Sequence, residues 1–95
     1  MSHQSLTLTG DLDDTLTLAQ PLPIVAEWRD EYVTITAPPV GLRAMGQSPE
    51  DALEDLRAAI AERYRDLDGR GAARTGSAQE EYDTLRQYVT ARTPA

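Results

Sequence analysis

The sequence has no cysteine, no lysine and no phenylalanine, and only one histidine and one tryptophan among 95 residues. Without cysteine there are no disulfides and no thiolate chemistry. His3 sits in a terminus expected to fray and has no second ligand nearby, so no metal role is expected for it. There is no Ser–His pair and no glycine-rich phosphate loop, and Gly69-Arg70-Gly71 is too short to act as one. No stretch approaches the roughly 18 apolar residues of a membrane span. Met1 to Gly10 lacks the charged start and apolar centre of an export signal, so a soluble cytoplasmic protein is expected, with no membrane contact.

Charge of one sign is also scarce. All nine basic residues are arginine, against 16 acids, for a net charge of −7. Broad contact with a nucleic-acid backbone draws on clustered basic residues, so this balance argues against it. Arg57, Arg63, Arg65, Arg70 and Arg74 form a local basic stretch, but exposed helical arginines read as a solvated face. Direct DNA binding by this chain alone is not expected.

The length allows one domain, residues 1–95. A chain this small buries roughly 60–65% of its unfolded surface, and aliphatic side chains must supply most of the core. Association of copies would bury more, so self-association is expected, most simply as a dimer.

Leu6-Thr7-Leu8-Thr9 and Leu12 to Leu18 alternate apolar and polar residues, which predicts two short strands with a turn at Gly10-Asp11. Pro21 and Pro23 mark an edge or the start of a strand. Ile24 to Trp28 reads as a strand, Arg29-Asp30-Glu31 as a hairpin loop, and Tyr32 to Ala37 as the clearest strand. There Val33, Ile35 and Ala37 face the core, while Tyr32, Thr34 and Thr36 face away. Pro38-Pro39 ends it, and Leu42 to Gln47 follows as a third segment.

Ser48 caps a helix, with Pro49 at its first position and Glu50, Asp51, Glu54 and Asp55 at its positive end. Leu53, Leu56, Ile60, Tyr64 and Leu67 form its apolar stripe, which Ala52 and Ala59 widen. Gly69 is the predicted stop. Ser77 with Glu80 three residues on predicts a capping box for a second helix, residues 77–91, with Tyr82, Leu85 and Val89 inward and Tyr88 beside them. Thr93-Pro94-Ala95 reads as a tail. Strands followed by helices predict an α+β fold: a small antiparallel sheet of three to four strands, then two helices, one packed on the sheet.

The run Pro38-Pro39-Val40-Gly41-Leu42-Arg43-Ala44-Met45-Gly46-Gln47-Ser48-Pro49-Glu50-Asp51-Ala52-Leu53-Glu54-Asp55-Leu56 resembles the HicB-like antitoxin pattern. That pattern is a Pro-x-Leu-Gly turn, a short strand, then Gly-Asp-Thr-x-Glu-Glu-Ala-Leu leading into a helix. Leu22-Pro23-Ile24-Val25 and the Tyr32 strand resemble its first hairpin. The resemblance covers about residues 16–68 and extends more loosely through the second helix. Gln47, Ser48 and Asp51 replace the usual acid, threonine and glutamate, which keeps the capping chemistry. The loop Arg29-Asp30-Glu31 lacks the glycine often found there. Many HicB proteins carry a C-terminal operator-binding module, for which the residues from Gly69 to Ala95 are too few. The resemblance implies a partial ribonuclease-H-like fold without nuclease activity. It also implies an inhibitor of a small, basic, RNA-cleaving toxin of the HicA type.

A two-metal nuclease would need several converging carboxylates. Glu50, Asp51, Glu54 and Asp55 already have a reason in the helix start, and Asp30 and Glu31 have one in the turn. Glu27 alone stands within a strand. No catalytic residue, cofactor or metal site is therefore expected. An orphan homo-oligomeric domain with another partner is the alternative reading, and a divalent-metal nuclease trails both. Candidate partner-binding residues are Trp28, Tyr32, Thr34, Thr36, Glu50 and Asp51. The first four lie on or beside the strand from Tyr32 to Ala37, taken as an open sheet edge. Aromatic side chains anchor many interfaces, and Trp28 fits either the core or a contact surface.

Overall fold

The computed structural model describes residues 2–92. The strands β1 (Ser2–Leu8), β3 (Leu22–Trp28), β4 (Val33–Ala37) and β5 (Leu42–Gly46) form one antiparallel sheet in the order β1-β3-β4-β5. The helix α1 (Pro49–Arg70) packs on one face of it, and α2 (Ser77–Tyr88) packs beside α1. The short strands β2 (Leu16–Leu18) and β6 (Val89–Ala91) make a separate two-stranded ladder. The expected α+β arrangement is therefore present, with four strands in the main sheet.

Alternation decides which sheet face is covered. Leu22, Ile24 and Ala26 of β3 and Val33, Ile35 and Ala37 of β4 are buried toward α1. Helix α1 answers with Ala52, Leu56, Ile60, Ala61 and Leu67, all buried. Burial of such side chains contributes roughly 1.5–3 kcal/mol each for the larger ones. No element covers the opposite face among the described residues. The overall shape reflects this, at 44 × 36 × 18 Å with a radius of gyration of 13.8 Å. A compact chain of this length would have about 12 Å.

The start of α1 forms as expected. Ser48 is extended, and its hydroxyl accepts the Asp51 N–H at 3.2 Å. Gly46 makes the junction possible for a steric reason. A Cβ at this position would stand 2.5 Å from the backbone nitrogen of Ala52.

Several expectations are corrected. Tyr32 to Ala37 is not an edge, because β4 pairs with β3 on one side and β5 on the other. The edges are β1 and β5. His3 does not lie in a frayed end but within β1, opposite Glu27. The strands on either side of Gly10-Asp11 do not pair with each other: β1 pairs with β3 and β2 with β6, and Asp11 makes an isolated bridge to Thr17. The expected strand from Leu12 to Leu18 keeps only its last three residues. Asp13 Oδ1 accepts the N–H groups of Thr15 and Leu16, each at 2.9 Å, which turns the chain instead.

Helix α1 also passes Gly69, because Gly71 carries the positive φ of +54° and the Arg74 guanidinium binds the Leu67 carbonyl at 2.6 Å. Ser77 is not a cap. Gly76 occupies that position, no side chain caps the helix, and Glu80 N–H donates to the Gly76 carbonyl. The second helix ends at Tyr88, and Val89 turns into β6. The tail Thr93-Pro94-Ala95 lies outside the described residues.

Candidate functional site

One end of the sheet gathers most of the candidate residues. Trp28 closes β3, the backbone reverses through Asp30-Glu31, and Tyr32 leads into β4. Arg29 N–H donates to the Tyr32 carbonyl at 2.9 Å, so the loop between them has only two residues. Trp28 lies opposite Val33, and Val33 opposite Gly46, in one cross-strand row. Because a Cβ at Gly46 would meet Asp51 and Ala52, the start of α1 stands at this same end. The residues Trp28 to Tyr32 line an open cleft of about 490 Å³.

The six candidates separate into three environments. Tyr32, one residue before β4 and in the alternation of Thr34 and Thr36, is 41% exposed. Thr34 lies between Glu27 and Met45 in register and is 9% exposed, so little of it is available for contact. Thr36, between Val25 and Arg43, is half-buried. Trp28 has the opposite parity and is half-buried against the core. Glu50 and Asp51 are exposed in the first turn of α1, which packs on the other face of the sheet from Thr34 and Thr36. The fold thus brings the hairpin and the helix start to one end without placing all six side chains on one surface.

Sequence reasoning missed Met45. It is 58% exposed on edge strand β5, the most exposed large apolar side chain in this region. Its signal was the alternation Leu42, Ala44, Gly46 against Arg43, Met45, which puts it on the uncovered face. Together Val25 and Met45 give that face apolar contact area amid polar groups.

The end of the sheet is acidic. Glu27, Asp30, Glu31, Glu50 and Asp51 carry five carboxylates there against the single guanidinium of Arg29. Arg29 pairs with Glu27 at 3.3 Å, with both side chains over two-fifths exposed, so the pair contributes little to stability. Among the described residues no group of three His, Asp or Glu side chains is placed to hold a metal ion. Groups shifted from their ordinary range include Asp13 and a set between the two helices. There Arg63 forms a forked pair with Glu81 at 2.6 and 2.8 Å, which lowers the Glu81 pKa. Those pairs fasten structure.

Among the described residues, no helix is long and apolar enough to cross a membrane. No protein-family model matches the chain, and no match was found among curated proteins or solved structures.

Proposed function

We propose that this chain is a non-enzymatic binding protein, the antitoxin-like partner of a small, basic, RNA-cleaving toxin of the HicA type. The observation that carries the reading is the acidic end of the sheet. Glu27, Asp30 and Glu31 lie in and beside the loop that carries the exposed Tyr32, and Glu50 and Asp51 stand at the neighbouring start of α1. A protein that grips RNA must be basic, and complementary charge speeds its encounter with an acidic surface. The resemblance from Pro38 to Leu56 supports the same partner.

The toxin would meet the hairpin end and the uncovered face, with Tyr32 and Met45 as apolar anchors and the carboxylates as the rim. In this reading Thr36 contributes at the margin and Thr34 little. Glu50 and Asp51 add charge from the neighbouring helix start. The complex would form in the cytoplasm, where an RNA-cleaving toxin finds its substrates.

The test is to co-express the chain with the small basic protein encoded beside it. Growth rescue, a stable complex and weakening of that complex with salt are the expected results. If the neighbour is neither toxic nor bound, the antitoxin reading fails and a homo-oligomeric domain with another partner takes its place. Metal-dependent cleavage of a structured RNA by the purified chain, abolished in Glu27→Ala, would overturn the non-enzymatic reading.

A further inference from the structure

The two edges of the main sheet are unequal. The Arg29 N–H donates to the Tyr32 carbonyl, one position beyond the last β3–β4 pair, Trp28 with Val33. In an antiparallel ladder, residues alternate between bonding one neighbour and the other. Val25 and Glu27 therefore direct their backbone groups to β4, while Leu22, Ile24, Ala26 and Trp28 direct theirs to β1. Their partners there are Leu8, Leu6, Gln4 and Ser2. That leaves His3, Ser5 and Thr7 with N–H and C=O groups pointing outward from the sheet. The same parity leaves Arg43 and Met45 outward on β5.

Edges are usually guarded by charge, proline, a bulge or shortness. The β5 edge has five residues and Arg43 within it. The β1 edge has seven residues in unbroken register, with no acid, no arginine and no proline.

We propose that β1 pairs with β1 of a second copy, antiparallel, about a two-fold axis at Ser5. Two four-stranded sheets then become one of eight strands. The outward residues are symmetric about Ser5, so pairing His3 with Thr7 and Ser5 with Ser5 satisfies all six groups on each copy. On the α1 side, half-buried Leu6 gains Gln4 of the second copy opposite and Leu6 of the second copy on the diagonal, which extends the apolar layer. Charge selects the occupant. A chain of net charge −7 can approach itself most easily along a strand without acids. A basic partner is drawn instead to the acidic hairpin end. The pairing stands independently of the antitoxin reading.

Single cysteines test both edge and register, because the chain has none of its own. In the proposed dimer the two residues at position 5 have Cα atoms about 5.5 Å apart. That lies inside disulfide reach, so Ser5→Cys forms a covalent dimer under mild oxidation. The two residues at position 7 are offset by four along the strands, roughly 13 Å, so Thr7→Cys stays uncrosslinked. Arg43→Cys on the other edge also stays uncrosslinked. Ser5→Pro removes only an outward N–H and leaves the β1–β3 ladder intact. It is expected to halve the mass seen by light scattering with its circular dichroism unchanged.

A wild-type monomer at tens of micromolar overturns the proposal. So does equal crosslinking of Ser5→Cys and Thr7→Cys, preferential crosslinking through Arg43→Cys, or a folded Ser5→Pro that remains dimeric. If Ser5→Pro does not fold, the Ser5→Cys and Thr7→Cys comparison decides.

Discussion

The phenol of Tyr82 donates to Asp68 Oδ1 across 2.5 Å, tying the middle of α2 to the end of α1. Arg74 stacks its guanidinium 3.8 Å from the centre of the same ring while binding the Leu67 carbonyl. One cluster thus closes the first helix and docks the second. The bond to Asp68, then burial, raises the Tyr82 pKa above its ordinary value. Tyr82→Phe keeps the ring and loses the bond, at an expected cost of about 1 kcal/mol. A raised folded-state pKa stabilises fully below the unfolded phenol value near about 10, and the contribution disappears as pH climbs through the higher folded value. Urea unfolding should show a gap between wild type and variant at neutral pH that narrows in alkali. A gap independent of pH would contradict this assignment.

Asp13 works at the opposite end of the pH scale. Donation from the Thr15 backbone, then from Arg65 and the Leu16 backbone, outweighs burial and holds its carboxyl at about 2. Because the folded value lies below the unfolded one, near about 3.9, the stabilisation is present above pH about 4. It is lost as pH falls through about 2. Asp13→Ala should lower the melting temperature at pH 7, and the difference should shrink at pH 2. Asp13→Asn keeps an oxygen acceptor for the turn but loses the charge facing Arg65, so it should fall between the two.

Three neighbouring positions at the β5–α1 junction rank by mechanism. Ser48→Ala loses one cap bond, worth about 1 kcal/mol. Gly46→Ala drives a methyl group into the Ala52 backbone and should cost roughly 1–3 kcal/mol, since the contact atoms are not a flexible side-chain end. Leu56 is fully buried, so Leu56→Ala should cost about 2–5 kcal/mol. Chemical denaturation of the three variants checks the order. A melting temperature unchanged by Leu56→Ala would contradict the buried face of α1.

The legible parts of this fold are those that local chemistry determines. Ser48, Pro49 and the stripe of α1 announce the helix start and its buried face. The alternation from Val33 to Ala37 announces a strand and its orientation. What alternation cannot supply is the identity of a strand's neighbours. Only Leu6 to Thr9 reads as a short strand, and the extension back to Ser2, like its place beside β3, depends on where the whole meander leaves an edge. The expected edge at β4 failed for that reason. The same applies to β6, whose three residues pair with a strand about seventy positions earlier. Gly46 was visible as part of a motif, but its reason is a backbone approach that only the packed helix creates. At the candidate site the residue types were readable, whereas the separation of half-buried Trp28 from exposed Tyr32 required the packed fold.

That separation yields the last prediction. Trp28 and Tyr32 flank the same two-residue loop, and both are aromatic residues of the kind that anchor interfaces. Their surroundings assign them different work. Trp28 packs half-buried against the core beside Val33, so Trp28→Ala should destabilise the domain, by roughly 2–4 kcal/mol for a partly buried aromatic. Tyr32 is 41% exposed, so Tyr32→Ala should leave the melting temperature nearly unchanged. If the acidic hairpin end is the docking surface, Tyr32→Ala should instead weaken the complex with the basic partner at least tenfold, mainly through faster dissociation. Neutralising Asp30 and Glu31 together should mainly slow association and flatten its salt dependence, because rim charges steer encounter. Binding kinetics at two salt concentrations, run beside thermal melts, separate these effects. A Tyr32→Ala variant that melts like wild type and binds like wild type would remove the hairpin end from the interface.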